Sequence, residues 1–236
     1  MKILAVDTSA TVASVAITDG ERLAAEMILN HKKTHSETLM PMIDTLFQSS
    51  EMKISDIDLF AVSNGPGSFT GLRIGVAAVK ALAHACNKPV VGVSTLEAMA
   101  YNLPYADGLI APIMDARREQ VYNAVYRWEG ETLTEVTAPR AIALADCLEE
   151  FREKVYFVGD GVPVYRELIL QKLGNLAVFA PVCANAQRAG AVAAAAKAYA
   201  KAGKTTTYLE LLPVYLRKPQ AEREREEMEG KGKVQN

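Results

Sequence analysis

Two stretches of the chain hold the residue types and spacing from which a site could be built. The first is Asn64-Gly65-Pro66-Gly67-Ser68-Phe69-Thr70-Gly71-Leu72-Arg73-Ile74-Gly75, between a predicted strand and a predicted helix. Free N–H groups and the helix dipole favour anions at such a junction. A phosphate loop of the Walker type needs Lys and then Ser or Thr after its last glycine. Here Gly71 is followed by Leu72-Arg73, and the dinucleotide-binding spacing is absent too. The same residues also read as geometry. Gly67, Gly71 and Gly75 recur every four positions, and Ala78 and Leu82 continue that face. A strip of small residues lets another helix approach closely, from this chain or from a second one, and the spacing leaves both open.

The second stretch is Asp7-Thr8-Ser9, at the end of the apolar run Ile3–Val6. A carboxylate there suits Mg²⁺ or a water beside a phosphate, or else a simple cap. His31, His35 and His84 lack metal-ligand spacing, and no nucleophile-elbow pattern surrounds Ser9, Ser68 or Thr70. Cys86, Cys147 and Cys183 form no Cys-x-x-Cys pair and fit reduced thiols better than a disulfide framework.

The elements that must position these residues follow from periodicity. Ile3–Val6, Val12–Thr18 and Arg22–Leu29 read as three strands, with Asp19-Gly20 as a hairpin turn. Thr34-His35-Ser36-Glu37 has the form of a capping box opening an amphipathic helix over Thr34–Gln48. Strand Leu59–Ser63, a helix over Thr70–Cys86 and strand Val90–Val93 follow, and Ser94 caps a short helix. Asn102–Asp107 is the predicted boundary. Beyond it come strands Leu109–Met114, Gln120–Arg127 and Thr132–Val136, a helix near Ala141–Phe151, and strand Val155–Val158 before Gly159-Asp160-Gly161. Ala186–Ala202 reads as a helix with Asn185 as N-cap and Gly203 just past its end. Each half opens with three strands, then a helix and a strand, as degenerate copies of one β-β-β-α-β unit would.

The chain has 236 residues, half of them hydrophobic, and a net charge of -2, enough for two domains and a sizeable core. That balance gives no bulk electrostatic reason to bind nucleic acid. No uncharged apolar run approaches the roughly 18 residues that cross a bilayer, and the N-terminus lacks the form of a signal peptide. A soluble, cytoplasmic protein without membrane association is expected. The segment from Ala221, with its alternating Glu and Arg, reads as a solvated, disordered tail.

Taken in order, several motifs closely resemble the bacterial TsaB (YeaZ) family. They are Asp7-Thr8-Ser9, His35-Ser36-Glu37-Thr38-Leu39, the Asn64–Gly75 stretch, Asp115-Ala116-Arg117-Arg118-Glu119, Gly159-Asp160-Gly161 and Pro213-Val214-Tyr215-Leu216-Arg217. The match runs from about residue 1 to 220. The resemblance implies an α/β fold of the actin/Hsp70/sugar-kinase (ASKHA) type, with two related lobes, each a mixed sheet flanked by helices. The lobes would span 1–102 and 103–220, with 221–236 as the tail. It also implies a role in forming N6-threonylcarbamoyladenosine on tRNA, as the partner of a TsaD-type transferase and a TsaE-type ATPase, with tRNA contacted only indirectly.

In TsaD-like chains a His-x-x-x-His metal pair follows the strand matching Val90–Val93, whereas this chain has Thr95 and Met99. A hydroxyl and a thioether cannot replace two imidazoles. The resemblance therefore implies a non-catalytic subunit with no catalytic or metal residues and no intrinsic cofactor. Asp7, Thr8, Ser9, Gly159 and Gly161 would be the remnants of an ATP, ADP or Mg²⁺ site. It further implies that the helices over 34–48 and 70–86 pack against the same pair in the transferase. His35, Leu39, Met42, Leu46, Phe69, Gly71, Leu72, Gly75, Ala78, Val79 and Leu82 would form that face, with Arg73 and Lys80 at its rim. Without the partner, the patch would pair two copies of the chain. The alternatives on the same fold are an ATP-dependent phosphotransferase and a degenerate glycoprotease-like metallopeptidase.

Overall fold

The computed structural model describes residues 1–31, 34–104 and 106–217; the charged segment from Ala221 lies outside them. The first lobe contains β1 (Lys2–Asp7), β2 (Val12–Asp19), β3 (Arg22–Asn30), α1 (His35–Ser50), β4 (Leu59–Gly65), α2 (Phe69–Cys86), β5 (Val90–Ser94) and α3 (Thr95–Ala100). The second runs β6 (Leu109–Asp115), β7 (Gln120–Glu129), β8 (Thr132–Ala143), α4 (Leu144–Glu149), β9 (Val155–Val158), α5 (Gly161–Leu173), β10 (Ala177–Phe179) and α6 (Ala189–Lys201). The sheet orders are β3-β2-β1-β4-β5 and β8-β7-β6-β9-β10. The duplication read from the sequence is therefore a duplication of topology.

Alternation along the strands sorts the core of the first lobe. Leu4 and Val6 of β1 pair with Ile17 and Val15 on one side and Phe60 and Val62 on the other. These residues face Leu39, Met42, Ile43 and Leu46 of α1 and Val76, Val79 and Ala83 of α2. Ile3, Ala5, Leu59, Ala61, Val91 and Val93 point the opposite way, onto Ala189, Val192, Ala193 and Ala196 of α6. Gly20 and Gly130 turn the two hairpins with φ of +62° each, a conformation that glycine adopts without steric cost.

By packing, the chain does not divide once at Asn102–Asp107. That segment separates the two sheets, but α6 returns to cover the back of the first. The following strap, residues 204–217, bridges to β5 through Thr206 and buries Leu211 in the α1–α2 core. Among the described residues α2 is the one helix long and apolar enough to cross a membrane by composition, yet Leu72, Val76, Val79 and Ala83 bury one of its faces inside this chain.

Four local expectations change. The strand read as Thr132–Val136 runs on to Ala143, paired along β7, so residues 141–143, read as the start of a helix, are strand, and α4 is confined to Leu144–Glu149. Thr34 stands at the N-cap of α1, but its side chain makes no capping bond and lies 3.0 Å from the Ser36 hydroxyl. The capping box is thus not formed. The last helix begins at Ala189, because Asn185 is committed elsewhere: its side-chain amide donates to Gly159 O and its oxygen accepts from Gly159 N, both at 3.1 Å. Ser14 and Glu26 take over the capping, accepting from the Ala189 and Gly190 amides at 3.0 and 2.9 Å, and Glu26 also binds Arg188. Finally, α5 and β10 occupy a region read only as a glycine turn. Val164, Leu168 and Leu170 are exposed on α5, so its apolar residues show no single-sided period.

Candidate functional site

The glycines leading into and along α2 have a definite neighbour, the turn between β1 and β2. A Cβ on Gly67 would lie 2.3 Å from Ser9 O, on Gly71 2.1 Å from Thr8 O, and on Gly75 2.3 Å from Thr8 Oγ1. Hydrogen bonds fix the same seat. Thr8 Oγ1 donates to Gly71 O (2.8 Å), and Ser68 N donates to Ser9 O (2.6 Å). Ser68 also caps α2, accepting from Gly71 N at 3.3 Å. On the other flank, His35 at the start of α1 donates through Nε2 to Ala10 O at 2.7 Å and lies against Gly71. The four-residue glycine strip is therefore the mould of a buried turn, and of its two geometric readings the one internal to this chain holds.

Asp7, at the root of that turn, is fully buried. Its Oδ1 accepts from the Ser9 amide (2.9 Å) and hydroxyl (2.6 Å), and its Oδ2 from the Ser63 hydroxyl (2.5 Å). Burial pushes its pKa above the usual carboxylate range, while the Ser63 and Ser9 bonds and the charge of His35 pull it back. Opposite, in the second lobe, Asp160 is pushed up to about 6, mainly by burial. A bond from Gln187 opposes the shift, and the charges of Asp115 and Asp7 add to it. Asp115 accepts from Tyr165 OH and from Arg117 N, both at 2.9 Å.

The fold thus brings Asp7, Thr8 and Ser9 to the same cleft as Gly159–Gly161, where two of the backbone amides and both Asp7 oxygens are already engaged. Ser9 N serves Asp7, Gly159 N serves Asn185, and a Cβ on Gly159 would meet Ile113 O at 2.3 Å. A phosphate loop needs amides that point into space. The Ser9 and Gly159 amides are therefore not free to hold a phosphate. Thr95 and Met99 are also buried, Met99 in the apolar contact between the lobes.

The residues expected to form a partner face need a correction. Leu39, Met42, Leu46, Gly71, Leu72, Gly75 and Val79 point into this chain's own core or onto the β1–β2 turn. The amphipathic period was read correctly, but the buried side of each helix is spoken for. His35, Phe69, Ala78 and Leu82 are half-buried, with Phe69 stacked on Tyr215 at 4.7 Å between centroids. The outward surface is made instead by Thr70, Ala77, Ala81 and Ala85 of α2 beside Met40 and Pro41 of α1. Arg73 and Lys80 do stand at a rim, on the flank facing the strap. Lys80 donates to Leu211 O (3.1 Å), and Arg73 donates to Tyr215 OH (3.2 Å) and lies 3.9 Å from the Phe69 ring centre.

Sequence reasoning missed what the strap does. Pro213–Arg217 stood out as a motif, and the structure gives its physical content. Val214 N donates to Asn64 O (2.7 Å), Asn64 Nδ2 returns a bond to Leu212 O (3.3 Å), and Val214 O fills the space a side chain on Gly65 would need. Arg217 then reaches the second lobe, donating to Ala116 O at 2.8 Å.

A family model described as TsaD, tRNA N6-adenosine threonylcarbamoyltransferase, matches residues 22–225. The tRNA threonylcarbamoyladenosine biosynthesis protein TsaB of Bacillus subtilis is 39% identical over 178 residues, which is 74% of this chain and 78% of the relative. A crystal structure from Pseudomonas aeruginosa, described as an uncharacterized protein with similarity to peptidase YEAZ, superposes with a TM-score of 0.74 at 26% identity. That match covers 92% of this chain and 99% of the other. Component A of (R)-2-hydroxyglutaryl-CoA dehydratase from Acidaminococcus fermentans shares the fold alone, with a TM-score of 0.51 at 14% identity over 86% of this chain and all of that one. The two mixed sheets flanked by helices are those of the actin-like, ASKHA-type proteins.

Proposed function

This chain belongs to the TsaB (YeaZ) family, and from that premise we propose that it is a non-catalytic subunit in the formation of N6-threonylcarbamoyladenosine on tRNA. It acts in the cytoplasm as scaffold and activator of a TsaD-type transferase, together with a TsaE-type ATPase. One observation carries the reading. In the cleft between the lobes both Asp7 oxygens are taken up by Ser9 and Ser63, whereas the outer face of α2 exposes the small apolar side chains of Ala77, Ala81 and Ala85. A helix with alanines at 77, 81 and 85 lets a partner helix approach closely. The seating of α2 on Thr8 and Ser9 supports the same reading, since a docking face is useful when its backbone is held rigid. No intrinsic ATP, ADP or Mg²⁺ is assigned to the chain. In isolation two copies pair through this face.

Gly75 is unsuitable for the test, because any side chain there would strike Thr8. Ala81 is exposed. Ala81→Arg is expected to abolish association with the TsaD-type transferase in size-exclusion chromatography and to remove the stimulation of tRNA modification in a reconstituted reaction. Its Tm should stay within about 2 °C of the parent, as for most surface substitutions. An Ala81→Arg chain that still bound the transferase would overturn the assignment of this face.

A further inference from the structure

We propose that the groove between α2 and the C-terminal strap is a second docking site, and that it takes an acidic, amphipathic segment of a partner protein. The groove is open, about 490 Å³, and lined by Arg73, Val76, Ala77, Lys80, Leu212, Pro213 and Tyr215. It adjoins the outer face assigned above, sharing Ala77 with it, and extends from there to the flank of α2 that faces away from α1. Gly71 looks towards His35 of α1, and Lys80 lies nine residues further on. At roughly 100° per residue, that places the two about half a turn apart, on opposite flanks of the helix.

The exposure of the strap's apolar side chains is built in. Leu212 is 64% exposed, Leu209 70% and Val214 48%, on a segment whose backbone is held at Asn64, Lys80 and Val90 and whose Leu211 is in the core. A rigidly presented apolar rim beside an apolar floor marks an interaction site. Charge complementarity names the occupant. Arg73 and Lys80 bracket the groove two turns apart, about 10 Å along the axis. Both heads are held by neutral oxygens, Tyr215 OH and Leu211 O, and among the described residues neither meets a carboxylate. An incoming segment with one apolar stripe and two carboxylates at that spacing would supply both missing charges. The apolar floor favours such a peptide over a nucleic-acid backbone, which would need further cations in place of Val76, Ala77, Leu212 and Pro213.

The test uses the full chain and two fluorescein-labelled 15-residue helical peptides sharing one leucine stripe. One carries Glu at two flanking positions seven apart, and the other carries Lys there. Fluorescence anisotropy is expected to show saturable binding of the Glu peptide only. Arg73→Glu/Lys80→Glu and Leu212→Asp should each weaken it at least ten-fold, and the charge-reversed chain should now bind the Lys peptide, which also demonstrates that it is folded. Equal binding of both peptides, or no loss on charge reversal, would overturn the proposal. So would binding of a labelled RNA stem-loop that depends on Arg73 and Lys80, or a ten-fold gain in peptide affinity on deleting residues 218–236, which would make the chain's own tail the occupant. Ala81→Arg, which blocks the transferase face, should leave peptide binding unchanged, so the two assignments fail separately.

Discussion

The duplicated topology allows one position to be compared in two copies: the turn after the first strand of each lobe. In the first lobe this turn is Thr8-Ser9-Ala10, buried beneath α1 and α2. In the second it is Ala116-Arg117-Arg118-Glu119, with its last three residues exposed. Those three carry φ of +66°, +55° and +56°, the left-handed region that non-glycine residues enter at a cost of roughly 1–2 kcal/mol each. The first turn is held from outside by three glycines, Ser68 and His35. The second is held mainly along its own length, by Asp115 to Arg117 N, by Gln120, and by Arg217 from the strap. The same strand order has therefore produced one turn that seats helices and one that faces solvent. What differs is whether the following helices bring glycine to the turn.

The contrast can be broken most severely at Gly71. Gly71→Ala places a carbon against Thr8 O, and backbone cannot swing aside as a long side chain can. A loss of about 3 kcal/mol or more is expected in urea unfolding. Gly130→Ala, which meets nothing within 4 Å, should lose only about 1 kcal/mol from its positive φ. Similar losses at the two glycines would show that the seat does not exist.

Across the cleft, Asp160 is a raised carboxyl. Between about pH 4 and 6 the folded chain keeps a proton there that the unfolded chain has lost, so its contribution to stability falls as pH rises through that window. Asp160→Asn, which keeps the oxygen that accepts from Gln187, should gain about 1–2 kcal/mol at pH 7.5 and nothing near pH 4. A gain that does not vary with pH would remove burial as its cause. Thr8→Val deletes the donor to Gly71 O and should cost about 1 kcal/mol, read as a shift in the urea midpoint without a change in slope. Smallest of all, Glu119→Gly should stabilise the second turn by about 0.5–1 kcal/mol, because glycine relieves the left-handed strain. A loss there would mean that the Glu119 side chain has a role of its own.

Much of this contrast could be read in the sequence, and the remainder fails for identifiable reasons. Apart from β10 and the second part of β8, the strands of both halves, the Asp19-Gly20 hairpin and the inward periods of α1 and α2 follow from alternation and helical spacing, which are local. The glycine strip was visible, but its neighbour sits some sixty residues earlier, and spacing within α2 cannot say which surface comes close. Asn185 has the ideal chemistry for a cap and loses the role because Gly159 captures both ends of its amide, a long-range pairing. The segment 161–179 exposes apolar residues on α5 and offers no period to detect. As for the strap, Pro213–Arg217 carried a motif without a geometry until Asn64 and Ala116 were seen to receive it.

The return of α6 to the first lobe has a consequence for synthesis. The back of the first sheet, with Ile3, Ala5, Leu59, Ala61, Val91 and Val93, is covered by residues 189–196, which are translated after the whole of the second sheet. At roughly 5–20 residues per second, those strands wait about 5–20 s after β5 is made for their cover. The first lobe is therefore translated before the second and completed after it, and a ribosome stalled anywhere in the second lobe would hold an open apolar sheet. During that interval a nascent chain of this protein would present an uncovered apolar sheet face to the chaperones that meet it.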